Sequence, residues 1–173
     1  MDSSGVSTKI LWAIIILIWL LAILITNNVY QHGAGELLKF YIDCIKYVIP
    51  LNTYASQSSF PDAARAYHSI IWWTFPMFSV VSYRYLVGLN GIFVKSRKEL
   101  TIGSYLTMIF YGLFFIVFAY AGFFWNKGQN VRLVEFGTSI KQFLFFGLVW
   151  PGSVAFCFTT GVCFFRKIIF GKI

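Results

Sequence analysis

The chain has 173 residues, of which 58% are hydrophobic, 21% aromatic and only 12% charged, against about 25% charged in an ordinary soluble domain. With 20 Phe, 10 Tyr, 6 Trp and a mean hydropathy of +0.73, a soluble fold of this size could not hide its apolar surface, and a disordered chain would be charged and poor in aromatics. The formal net charge of +8 sits in short caps at the ends of apolar runs, where it meets anionic lipid headgroups, and not on an extended solvated face of the kind that binds nucleic acid.

A helix that crosses a bilayer needs roughly 20 apolar residues, about 17–25. The first such run, 10–26, carries no charge. Lys9 gives it a basic front, but it is longer than a signal-peptide core of about 7–15 residues. It ends in Ile25-Thr26-Asn27-Asn28, not in a small-x-small cleavage site, and is expected to stay as an anchor. The second run, 67–89, is broken only by Arg84 near its far end, and Pro76 should kink it. The third, 101–125, is charge-free, and the fourth, 143–165, stops at Arg166-Lys167. None alternates polar and apolar residues, so a membrane barrel is disfavoured. The chain reads as an all-α integral membrane protein, one four-transmembrane-helix bundle over 1–173. The spans leave no room for a large catalytic domain outside the membrane.

With four spans, both termini share a side. That side holds Lys9, Arg84, Lys95, Arg97, Lys98, Arg166, Lys167 and Lys172. The other holds Lys39, Lys46, Arg65, Lys127, Arg132 and Lys141. The excess of cations, sharpest in Lys95-Ser96-Arg97-Lys98 of the inner loop 90–100, places both termini in the cytoplasm. The outer loops are then 27–66 and 126–142. In the first, Glu36, Lys39, Asp43 and Lys46 recur every three or four residues as a stripe of alternating sign, with Leu37, Leu38, Phe40, Tyr41, Ile42, Ile45, Val48 and Ile49 around the rest. This is the pattern of an amphipathic interfacial helix, lying on the outer leaflet or over the bundle, or offering a docking surface. The second outer loop is short and basic, with Lys127-Gly128 and Val131-Arg132-Leu133.

Inside the membrane, Tyr67, Trp72 and Trp73 are placed as interfacial anchors. Arg84 either snorkels to the inner headgroups or is a buried functional charge. Gly147, Pro151, Ala155 and Thr159 follow one another at i,i+4, and Ser104, Gly112, Ala119 and Gly122 form a looser set, so both are read as helix-packing seams. The three cysteines, Cys44, Cys157 and Cys163, include no C-x-x-C pair, and no four-ligand zinc cluster is present. His32 and His68 fall near the outer ends of the first two spans and are read as interfacial, although paired histidines on adjacent spans are one way to hold haem. There is no intramembrane carboxylate pair, nucleophile elbow or phosphate loop. The expectation is a protein that is not an enzyme and carries no catalytic residue, metal or other cofactor.

The layout, with the charged segment Lys95-Ser96-Arg97-Lys98-Glu99-Leu100-Thr101 running into the third span and Val131-Arg132-Leu133 ahead of the fourth, resembles the inner-membrane immunity proteins that protect bacteria from pore-forming colicins, the colicin A type in particular. That resemblance implies a multi-pass protein of the inner (plasma) membrane that binds a toxin's pore-forming domain in the bilayer and blocks channel opening. Its contacts would then fall on the outer half, at Tyr41 and Tyr47, at Arg65, Trp72 and Trp73, and at Lys127 and Arg132, since aromatic and Arg side chains dominate binding hot spots. Besides the bilayer, the expected partner is therefore a protein. Other classes stay open at this level: an accessory subunit of a larger secretion, conjugation or respiratory complex, a haem-bearing subunit, or a holin-like lysis factor.

Overall fold

The structure, a computed structural model, describes residues 7–55, 58–88, 101–125 and 138–171. Among the described residues the chain is helical throughout and holds no strand. Helix α1 spans Thr8–His32. The Ser7 hydroxyl caps it by accepting the Lys9 N–H at 3.3 Å. It runs two turns beyond the apolar run and stops at Gly33, whose φ of +81° only glycine adopts without strain. Helix α2 covers Glu36–Ile45, and a turn through Pro50 leads to the short α3, Leu51–Ala55. Helix α4, Pro61–Ile71, opens on its proline, which has no N–H to leave unsatisfied.

The run expected to form one kinked span is two helices. A 3-10 turn, Trp72–Thr74, separates α4 from α5, Phe75–Gly88. Pro76 explains the break. It has no N–H to give the Trp72 carbonyl one α-turn back, and that carbonyl is taken instead by the Phe75 N–H in the tighter pattern. Helix α6 spans Ile102–Trp125, capped by Thr101 Oγ1, which accepts the Ser104 N–H at 3.2 Å. Helix α7, Ile140–Phe146, and helix α8, Val149–Phe170, are nearly continuous. Gly171, at φ +72°, ends the last. Among the described residues, three stretches are long and apolar enough to cross a membrane: Thr8–His32, Ile102–Phe123 and Ile140–Phe170.

The long elements lie in a row, with α1 against α4 and α5, α5 against α8, and α8 against α6. Their directions follow from the contacts. At one end the Tyr30 and Phe60 rings meet at 6.1 Å. At the other, Arg84 Nη1 donates to Thr8 Oγ1 at 3.2 Å. The segment 61–88 therefore runs antiparallel to α1 along its length. Tyr67 abuts Gly147, and Ser79 lies opposite Thr159, so α8 descends alongside it. Helix α6 ascends, with Gly122 by Val154 and Gly112 by Phe164. Thr8, Arg84, Arg166 and Lys167 thus share one end, and α2, α3 and α7 gather at the other. At the basic end Arg166 is exposed, whereas Lys167 is buried.

Small residues set the distances between helices. Ala63, Ala64 and Ala66 are all buried on α4, which packs against both α1 and α3. Between α6 and α8 a Cβ on Gly161 would lie 2.7 Å from Ile116 Cγ1 and 3.0 Å from the Gly112 carbonyl oxygen. Pro151, Ala155 and Thr159 are buried on α8, and Thr159 Oγ1 reaches the Ser79 carbonyl at 3.5 Å. A Cβ on Gly147 would fall 2.5 Å from Tyr67 Cε1. This stripe therefore faces α4 and α5, whereas α8 meets α6 through Trp150, Val154, Gly161 and Phe164.

Candidate functional site at the α2 end

Helix α2 has three faces. Leu38, Tyr41, Ile42, Ile45 and, just beyond its end, Ile49 pack onto the bundle. Glu36, Lys39, Asp43 and Lys46 are all exposed along a second face. Leu37 (87% exposed), Phe40 and Tyr47 form a third, apolar and facing outward. The sequence pattern had combined the two apolar faces into one. Tyr41 decides which of them docks. Its hydroxyl donates to the Ser69 carbonyl at 2.7 Å and accepts from Trp73 Nε1 at 2.8 Å, which ties α2 to α4 and to the 3-10 turn. Burial pushes the Tyr41 phenol above its ordinary value, with the Trp73 hydrogen bond acting the other way, so the phenol remains a donor at neutral pH.

The charged face of α2 borders α4 across a cleft. Lys46 Nζ meets Asp43 Oδ1 at 2.9 Å, and Arg65 Nη1 meets Asp62 Oδ1 at 2.8 Å. With Lys39 these side chains line a cleft of about 350 Å³. Tyr47 is almost wholly exposed, and its ring centroid lies 5.4 Å from Lys46 Nζ, a cation–π contact. Trp73 is also exposed. Trp72, its neighbour, points inward and packs edge-on against Phe123 at 4.7 Å. It is a core residue and not the interfacial anchor expected. Lys127 and Arg132 lie outside the described residues.

On the far side of α2 an apolar cavity of about 670 Å³ separates it from α5, α6 and α8. Ile45, Ile49, Trp72, Ala119 and Val154 are its buried floor. The cavity sits where the 3-10 turn and Pro76 interrupt the descending element.

The two histidines occupy different environments. His32 is exposed in the last turn of α1. His68 is buried on α4, with its ring 5.8 Å from that of Tyr67 and 5.5 Å from that of Phe143. It is not interfacial in the way its position suggested, because α7 covers it. Tyr67 and Trp19 both donate to the Leu144 carbonyl, at 3.3 and 2.9 Å, which fixes α7 over this spot. Among the described residues no three His, Cys, Asp or Glu side chains come together as a metal site, and Cys44, Cys157 and Cys163 are free thiols. Arg84 is half-buried and linked to the start of α1. Comparison with protein-family models, curated proteins and solved structures returns no match.

Proposed function

We propose that the protein is a four-span immunity protein of a bacterial inner membrane that binds a pore-forming toxin within the bilayer and keeps its channel closed. The observation that carries this reading is the surface at the α2 end. It combines an outward apolar face with exposed Tyr47 and Trp73 and a cleft in which Lys39 stands beside the Lys46–Asp43 and Arg65–Asp62 ion pairs. Aromatic and Arg anchors set among near-neutral contacts are the usual makeup of a protein-binding hot spot. Residues 61–88 serve as the fourth crossing. At about 1.5 Å per residue they exceed a hydrocarbon core of about 30 Å even with the break. Arg84, Arg166 and Lys167 would lie at the cytoplasmic end, and α2 would lie outside.

Inhibition of this kind needs no bond-making. The bound immunity protein would hold the toxin's helices in an arrangement that cannot open, so only differential affinity for closed and open states is required. The test is survival of sensitive bacteria that express the chain when challenged with a panel of pore-forming and contact-delivered toxins. Selective survival against one toxin, lost on combined alanine substitution of Tyr47, Arg65 and Trp73 at unchanged membrane level, supports the reading. Uniform killing with the protein present in the membrane rejects it in favour of an accessory subunit.

A further inference from the structure

We infer that the cavity beneath α2 is a binding site for one acyl chain of a membrane phospholipid. It rests on placement of the long helices in a bilayer and not on the toxin reading. The volume of about 670 Å³ falls within the range of about 300–1,000 Å³ typical of pockets that hold ligands. The floor named above is apolar throughout, so neither water nor a polar ligand finds partners there. The rim decides what can enter. Cys44 and Val48 of the α2 segment, Trp73, and Tyr120 of α6 all line the cavity and are all exposed.

Tyr120 belongs to the exposed apolar face of α6, one of the helices long and apolar enough to cross a membrane. The opening is therefore continuous with the surface that meets lipid tails. An empty cavity would forfeit dispersion contacts along its whole lining. In a bilayer the atoms able to restore them are acyl carbons entering sideways. Trp73 stands at the rim with its Nε1 held by Tyr41.

The test is native mass spectrometry of the full chain in mild detergent, titrated with dioleoylphosphatidylglycerol. Two variants close the mouth, Cys44→Trp and Val48→Trp. A third, Leu37→Trp, places the same bulk on the exposed face of α2 away from the cavity. All three alter exposed side chains, and size-exclusion profiles confirm the fold. The expected result is one tightly held lipid in the unmodified chain and in Leu37→Trp, with binding at least fivefold weaker in the two closing variants. Equal binding in all four proteins would show annular lipid only and overturn the proposal.

Discussion

Gly161→Ala is the sharpest test of how α6 and α8 pack. In an exposed helix interior the substitution stabilises by about 0.8–1.0 kcal/mol, through helix propensity alone. At Gly161 the new Cβ would sit 2.7 and 2.9 Å from Ile116 Cγ1 and Cδ1, and 3.0 Å from the Gly112 carbonyl oxygen. The Ile116 side chain can turn aside, but the Gly112 backbone lies inside α6 and cannot. Overpacking of this kind costs about 1–3 kcal/mol, so after the propensity gain the net loss should reach about 2 kcal/mol. At about 2–4 °C per kcal/mol for a chain of this size, thermal unfolding in detergent should fall by several degrees. Gly103→Ala is the control, since its Cβ would meet only Thr101 Oγ1 at 3.8 Å, and it should be neutral or slightly stabilising. Equal unfolding temperatures for the Gly161 and Gly103 variants would refute the close approach of α6 and α8.

Tyr41→Phe removes both the donor to Ser69 and the acceptor for Trp73. At about 1 kcal/mol per hydrogen bond it should loosen α2 by roughly 1–2 kcal/mol, read as faster proteolysis between residues 46 and 59. Gly147→Ala pushes a Cβ against Tyr67 and should lower the unfolding temperature. Tyr67→Phe, which loses only a hydrogen bond of 3.3 Å to Leu144, should lower it less. Arg65→Ala breaks an exposed pair with Asp62, worth under about 1 kcal/mol. Its unfolding temperature should barely move, and a large loss of protection would then mark Arg65 as a contact. In a Cys44→Ser background, Lys39→Cys on the exposed charged face should be labelled by a membrane-impermeant maleimide in intact cells, whereas buried Cys157 and Cys163 should react only after denaturation. Labelling of Lys39→Cys only after cell disruption would reverse the orientation.

The helical character was legible because long apolar runs with charged ends have few other solutions. What local pattern could not show was the covering of one end of the bundle by α2, α3 and α7. Trp72 and His68 look interfacial by position along the chain, yet both are buried, because contacts from distant segments close over them. Pro76 announced a break in the second run. The break falls at Trp72–Thr74 because proline disrupts the turn that precedes it. The two apolar faces of α2 share one helical period. Only the Tyr41 hydrogen bonds, to residues 28 and 32 positions away, separate the docked face from the outward one. The i,i+4 stripe from Gly147 does not include Gly161, which lies on the face turned to α6. A reading of Trp150, Val154, Cys157, Gly161 and Phe164 at alternating spacings of four and three would have found the second seam.

The central claim is protection by blocking a channel, and potassium efflux measures it directly. Sensitive bacteria that carry the chain in the membrane would be exposed to the toxin they survive, and released potassium would be followed alongside toxin bound to the cells. The account predicts normal toxin binding with potassium retained, and efflux restored when Tyr47, Arg65 and Trp73 are replaced together. Efflux as fast as in cells lacking the protein, or protection that comes only from reduced toxin binding, would contradict it.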